Sequence, residues 1–174
     1  MKKILPLIIA IIILSTGISY AATCGDYAYY KDLTFDTTAG GANVTGTDQT
    51  DFPIAVHINS SSWSTSSERE LFFDTNTNGK RIQFFDSDGT TNLPYEVEYF
   101  NGNGGDCSGT NCEALYWVKV PTVTKNSDTD KIRVCYGNDA DGTDYHGAYG
   151  TYVAQQNAVW NSAFNAVYHL GDNG

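Results

Sequence analysis

The sequence predicts an all-β protein: a two-sheet antiparallel β-sandwich of jelly-roll-like build. Three observations carry that expectation. Short strand-like runs recur near 28–36, 52–58, 70–73, 82–86, 93–100, 114–120 and 131–136. Stretches rich in Gly, Asn, Asp and Ser, such as TTAGGANVTGTDQTD, DTNTNG, DSDGTTN and KNSDTD, separate them, and that punctuation belongs to turns between strands. Helical periodicity is almost absent.

The individual runs justify the class. Phe52, Ile54, Val56 and Ile58 alternate with Pro53, Ala55 and His57, the period-two pattern of a strand with one buried face. Ile132, Val134 and Tyr136 alternate in the same way with Lys131, Arg133 and Cys135. In LPYEVEYF the alternation predicts Tyr95, Val97 and Tyr99 inward and Glu96 and Glu98 in water. Strands of this kind cannot bury a face singly, so two stacked sheets are the economical solution.

The N-terminus reads as a signal peptide, residues 1–21. Lys2 and Lys3 form its positive start, Ile4 to Ile18 is almost wholly apolar, and Ser19-Tyr20-Ala21 offers small residues for a cut after Ala21. A permanent anchor is the competing reading, but the run falls short of the roughly 20 residues a spanning helix needs, and Pro6 and Gly17 interrupt it. A lipid-modified Cys24 is a further alternative, disfavoured by Thr23 before it. The expected location is secreted, periplasmic or at the cell surface.

Cleavage would leave 153 of the 174 residues, enough for one domain with a real core. The 10 basic residues lose Lys2 and Lys3 while the 20 acids all remain, so the net charge moves from −10 to −12. Charge of that sign repels nucleic acid and anionic lipid surfaces. Nucleic acid is excluded as a partner, and a membrane would be met only through the signal segment or regions further downstream. Glycan or another surface protein remains open as a partner.

All 4 cysteines lie beyond the signal segment, which points to disulfides in an oxidising compartment. Cys107 and Cys112 flank a short Gly- and Asn-rich loop where a local bridge is easy, leaving Cys24 to pair with Cys135. A four-cysteine zinc site is the alternative, without the C-x2-C spacing such sites usually use.

Several segments share their wording with one family. NGKRIQFFDSDGTTNLPYE at 78–96, ALYWVKVP at 114–121 and KIRVCYGN at 131–138, with DFPIAVHI at 51–58, resemble the bacterial domain of unknown function 2341. Its members run an "LPYE-E" strand, a "WVKVP" strand and a strand ending in "YGN". The resemblance spans roughly residues 27–140 and implies an exported domain without implying a ligand. It also implies an alternative role as periplasmic partner of a proton-channel complex of the MotA/TolQ/ExbB type, since members are found with such proteins.

The expected organisation is a sandwich domain over 22–142, then a connector and a different segment over 143–174. Ala158 to Gly174 resembles the opening of a concanavalin A-like lectin domain, with Tyr168 where Trp is usual. On that reading the chain is a fragment of a larger surface protein; the alternative makes the tail the last strand of the one domain.

Four sets of residues stand out as candidate sites. Glu96 and Glu98, at i and i+2 of a strand, would share one face at roughly 6–7 Å, near the spacing of a retaining glycosidase pair. The bland reading is a solvated strand face, and the protein is expected to be non-catalytic. Asp74, Asn76 and Asn78 match the first half of a calcium loop, or else an Asx-rich turn, with Asp86 and Asp88 adding oxygen nearby. No other cofactor is implied. Among 12 Tyr, 8 Phe and 3 Trp, the cluster Tyr27, Tyr29 and Tyr30 and the lone Trp63 in NSSSWSTSS are the candidates for stacking on a sugar or other ligand. The 3 histidines, His57, His146 and His169, are scattered without ligand spacing. The expected function is a glycan- or ligand-binding, adhesive or spacer module.

Overall fold

The computed structural model describes residues 23–73, 82–102, 107, 112–137, 158–160 and 164. The expected signal segment 1–21, the Asp74/Asn76/Asn78 stretch, His146, His169 and most of the tail lie outside them. The described residues contain six strands: β1 (Tyr29–Thr34), β2 (Gln49–Asn59), β3 (Gln83–Asp86), β4 (Tyr95–Asn101), β5 (Glu113–Val123) and β6 (Lys131–Tyr136). They form two antiparallel sheets ordered β1-β6-β3 and β2-β5-β4. Only the β4–β5 connection stays within one sheet; each of the others crosses the sandwich. The expected all-β sandwich is therefore the observed fold, with the first and last strands side by side.

The predicted alternation explains the core. Ile132, Val134 and Phe84 from one sheet meet Tyr95, Tyr116, Val118 and Ile58 from the other, and all are essentially excluded from solvent. Phe84, Tyr95 and Tyr116 contact edge-to-face, with centroids 5.1, 5.3 and 5.9 Å apart. Edge-to-face contact sets each positive ring edge against a negative face and adds about 0.5–1.5 kcal/mol per pair beyond area burial. The Tyr95 hydroxyl donates to Ile82 O at 2.8 Å, so its polar end is not stranded in the core.

Two local expectations are corrected. Residues 70–73 are not a strand: Ser66–Phe72 is a short helix, α1. Thr65 caps it by accepting from the Glu68 N–H at 3.2 Å, and Phe72 and Phe73 turn into the core. The T-S-S-E wording carries that cap, whereas the apolar pair ELFF alone reads equally as strand. In β4 the register shifts between Val97 and Tyr99. This bulge reverses the alternation, so Tyr99 faces solvent and Phe100 packs inward on Phe73 at 5.7 Å.

Both disulfides form the expected pairs. Cys24–Cys135 joins positions 111 apart, and Cys107–Cys112 positions 5 apart. The local bridge is no surface clip, because both sulfurs belong to the main core. The distant bridge lies on the outer face of β1-β6-β3, where Cys24, Tyr27, Phe85 and Cys135 make a second, small core.

Candidate functional site

The four aromatic candidates go to three different places. Tyr27 is buried, edge-on to Phe85 at 6.1 Å, and serves the small core around Cys24–Cys135 rather than a surface. Its role as a ligand contact is thereby corrected: the Cys24 staple folds the N-terminal segment back over the sheet and shuts Tyr27 beneath it. Tyr30 lies on the outer face of β1, with the Arg133 guanidinium 4.2 Å from its ring centre. Tyr29 and Trp63 come together at the end of the sandwich.

The meeting point is Tyr136. Tyr29 stacks on it at 5.7 Å, Trp63 meets it edge-on at 5.4 Å, and Trp63 continues to Phe72 at 4.9 Å. The local sequence enforces this. Gly137 has φ of +78°, and a Cβ there would fall 2.5 Å from Tyr29 Cδ2, so the Tyr-Gly of the last strand is also the seat of the Tyr29 ring. Trp63 follows a tight turn capped by Asn59, whose side chain accepts from Ser61 N at 3.0 Å. That turn aims the indole back over the sandwich end, and Trp63 is half-buried instead of projecting from its serine-rich loop.

Charge surrounds the cluster. Lys31 Nζ stands 5.3 Å over the Trp63 ring. Burial, the charge of Glu68 and the neighbouring Tyr29 push the Tyr136 phenol up to about 12, so it stays protonated. Tyr29 keeps 42% of its surface exposed, and the Trp63 Nε1–H is buried without a hydrogen-bond acceptor. The cluster thus combines exposed ring surface with a cation.

The two glutamates are separated in environment. Glu96 lies on the outer face of β2-β5-β4 opposite Trp117, and it is buried, not solvated. Trp160 covers it, donating Nε1–H to Glu96 Oε2 at 2.6 Å while its ring meets Trp117 at 5.2 Å. Phe164 extends this contact at 5.2 Å from Trp160. Glu98 falls at the bulge, so the regular i, i+2 spacing assumed for a carboxylate pair is interrupted. Trp160 is the residue sequence reasoning missed here; a lone Trp in AVWNSAF gives no hint of which sheet face it covers.

Asp88 accepts from Thr90 N, Thr91 N and the Thr91 hydroxyl at 2.7–2.8 Å. These three donors hold its carboxyl well below the usual range. Its oxygens therefore cap the turn that ends in Gly89, at φ of +71°. Among the described residues, no three His, Cys, Asp or Glu side chains are grouped to hold a metal ion.

The wording of β3 to β6, with its Tyr-Gly seat, decides what can be said of kinship. Residues 78–152 match the family described as domain of unknown function (DUF2341). The DUF2341 match takes in β3, β4, β5 and β6, and so the Phe84–Tyr95–Tyr116 core and the Tyr136–Gly137 seat. No curated protein and no solved structure matches the chain.

Proposed function

We propose that this chain is a non-catalytic extracellular module that binds a glycan or similar surface ligand at the Tyr29–Trp63–Tyr136 cluster. The carrying observation is the meeting of Tyr29 and Trp63, from distant parts of the chain, around one buried tyrosine with ring surface left exposed. Ring faces of this kind take sugar C–H surfaces, and Lys31 beside them would bond hydroxyl or carboxylate oxygens. Two disulfides and an export-type N-terminus support a location in an oxidising compartment. The tail resembling a lectin-domain opening would make the module one unit of a larger surface protein. The glycosidase reading is the weaker one, since Glu96 is engaged by Trp160 and Glu98 lies on a bulge. No observation favours the proton-channel role over either.

A glycan array read with Trp63→Ala and Tyr29→Ala tests the proposal. Wild-type binding should fall at least about tenfold in both variants, as expected when a ring worth about 1.4 kcal/mol or more of affinity is lost. Binding that survives both substitutions, or hydrolysis abolished by Glu98→Gln, would overturn it.

A further inference from the structure

Among the described residues, β1 and β2 are the open edges of the two sheets, and a cleft of about 390 Å³ lies between them. Its floor is Leu33, Ile54, Val56 and Ile132, of which Leu33, Ile54 and Val56 are only half-buried. These residues carry the core-facing pattern of their strands, yet no strand among the described residues covers them.

The backbone directions on β2 follow from its neighbours. Pro53 pairs with Lys119, and the Lys119 N–H points the other way, to Pro94 O at 2.9 Å. Pro53–Lys119 is therefore a non-hydrogen-bonded pair, and by alternation so are Ala55–Trp117, His57–Leu115 and Asn59–Glu113. The N–H of Asn59 agrees, donating sideways to Ser62 Oγ at 3.1 Å. The N–H and C=O of Ala55 and His57 hence point out of the sheet edge into the cleft. On β1, Phe35 N–H donates to Asp130 O at 3.0 Å, which by the same alternation turns the backbone of Tyr30, Asp32 and Thr34 outward.

Edge strands are commonly guarded. Here the lower half of β2 is closed to pairing by Pro53, which has no N–H, and by Asp51 at φ of 51°. Among the described residues, the stretch Ile54–Ile58 has no such guard. At its Ser62 end stands Lys31, which meets only the Trp63 ring and has no carboxylate partner among the described residues.

We propose that this cleft receives an extended peptide from a partner protein as an added strand on β2. Its alternate apolar side chains would enter between Leu33, Ile54 and Val56, with an acidic residue meeting Lys31. Main-chain bonds to Ala55 and His57 supply the pairing, and the apolar floor with Lys31 supplies the selection. A second copy of this chain is the poorer occupant, because a net charge of −10 opposes self-association.

Amide hydrogen exchange on the exported full chain tests this directly. The probe is a synthetic peptide in which three valines alternate with threonines and a glutamate takes the next inward place. The Ala55 and His57 amides should exchange quickly in the free protein and at least about tenfold more slowly with the peptide. A proline in place of the central threonine should abolish that protection. Lys31→Glu, checked for an unchanged melting temperature, should reverse the preference toward a peptide ending in lysine. Unprotected amides, equal binding of the proline peptide, or an unchanged preference in Lys31→Glu would each overturn the proposal. Protection without peptide, accompanied by a doubled mass, would overturn it in favour of a second copy.

Discussion

The two outer faces of the sandwich are covered in different ways. On β1-β6-β3 the N-terminal segment is bolted down by Cys24–Cys135, with Tyr27 and Phe85 packed beside the bridge. On β2-β5-β4 the described part of the C-terminal segment is held by aromatic contact and by a hydrogen bond from Trp160 to Glu96. A covalent cover stays in place through any local opening. A non-covalent one can leave while the sheets remain folded, so the two ends of the chain should differ in how readily they detach.

The largest expected effect comes from cutting the bolt. In the chain-entropy model the bridge spanning 111 positions stabilises by about 5 kcal/mol, and the one spanning 5 positions by about 2 kcal/mol. Cys24→Ser with Cys135→Ser should therefore lower unfolding stability in urea by about twice as much as Cys107→Ser with Cys112→Ser. Equal losses would mean that the buried position of the local bridge matters as much as loop length, since both of its sulfurs are in the main core.

The C-terminal cover should respond more weakly, and locally. Trp160→Phe keeps ring contact with Trp117 but removes the donor to a buried carboxylate, a bond to a charged group worth about 1.5–3 kcal/mol. The variant should show faster proteolysis of the tail at nearly unchanged hydrogen exchange in β5 and β6. A fall in global stability equal to the whole loss would show that the tail and sandwich unfold as one unit, and the contrast between the faces would fail.

Why one face was legible in sequence and the other was not follows from the range of the signals. β6 was readable because a buried face imposes period two, as in Ile132, Val134 and Tyr136. β2 follows the pattern only over Ile54–Ile58, since the expected inward Phe52 is exposed and Pro53 is buried. The pairing of Cys24 with Cys135 was readable because only four cysteines compete. β4 was misread at Tyr99 because YEVEYF satisfies perfect alternation, and the bulge arises from fitting Phe100 against Phe73 of another element. Trp63 among serines and Trp160 among small residues carried no local information at all. Their places depend on Tyr136 and Glu96, residues remote in sequence. The backbone openness of β2 was equally hidden, since it depends on strand order.

The smallest expected effect probes the covalent face at its exposed rim. Asp32 bridges Arg133 and Lys131, with Arg133 Nε 2.7 Å from Oδ1 and Lys131 Nζ 3.0 Å from Oδ2. The hydrogen bond from Arg133 is the largest influence; burial opposes it, and the Lys131 hydrogen bond adds to it, so that the Asp32 carboxyl is held below its ordinary value. A depressed folded-state pKa means that the unfolded chain takes up the proton first as pH falls. The contribution is therefore complete above the ordinary carboxyl value of about 3.9 and is lost as pH drops through the lower folded value. Partly exposed pairs of this kind give about 0.2–1 kcal/mol, reduced by salt. Asp32→Asn should thus lower the urea midpoint slightly at pH 7 and progressively less as pH falls below about 3.9, and the difference should shrink in molar salt. A deficit that does not shrink as pH falls would assign the role of Asp32 to shape and hydrogen bonding, leaving the disulfide and the Tyr27–Phe85 contact as what distinguishes this face.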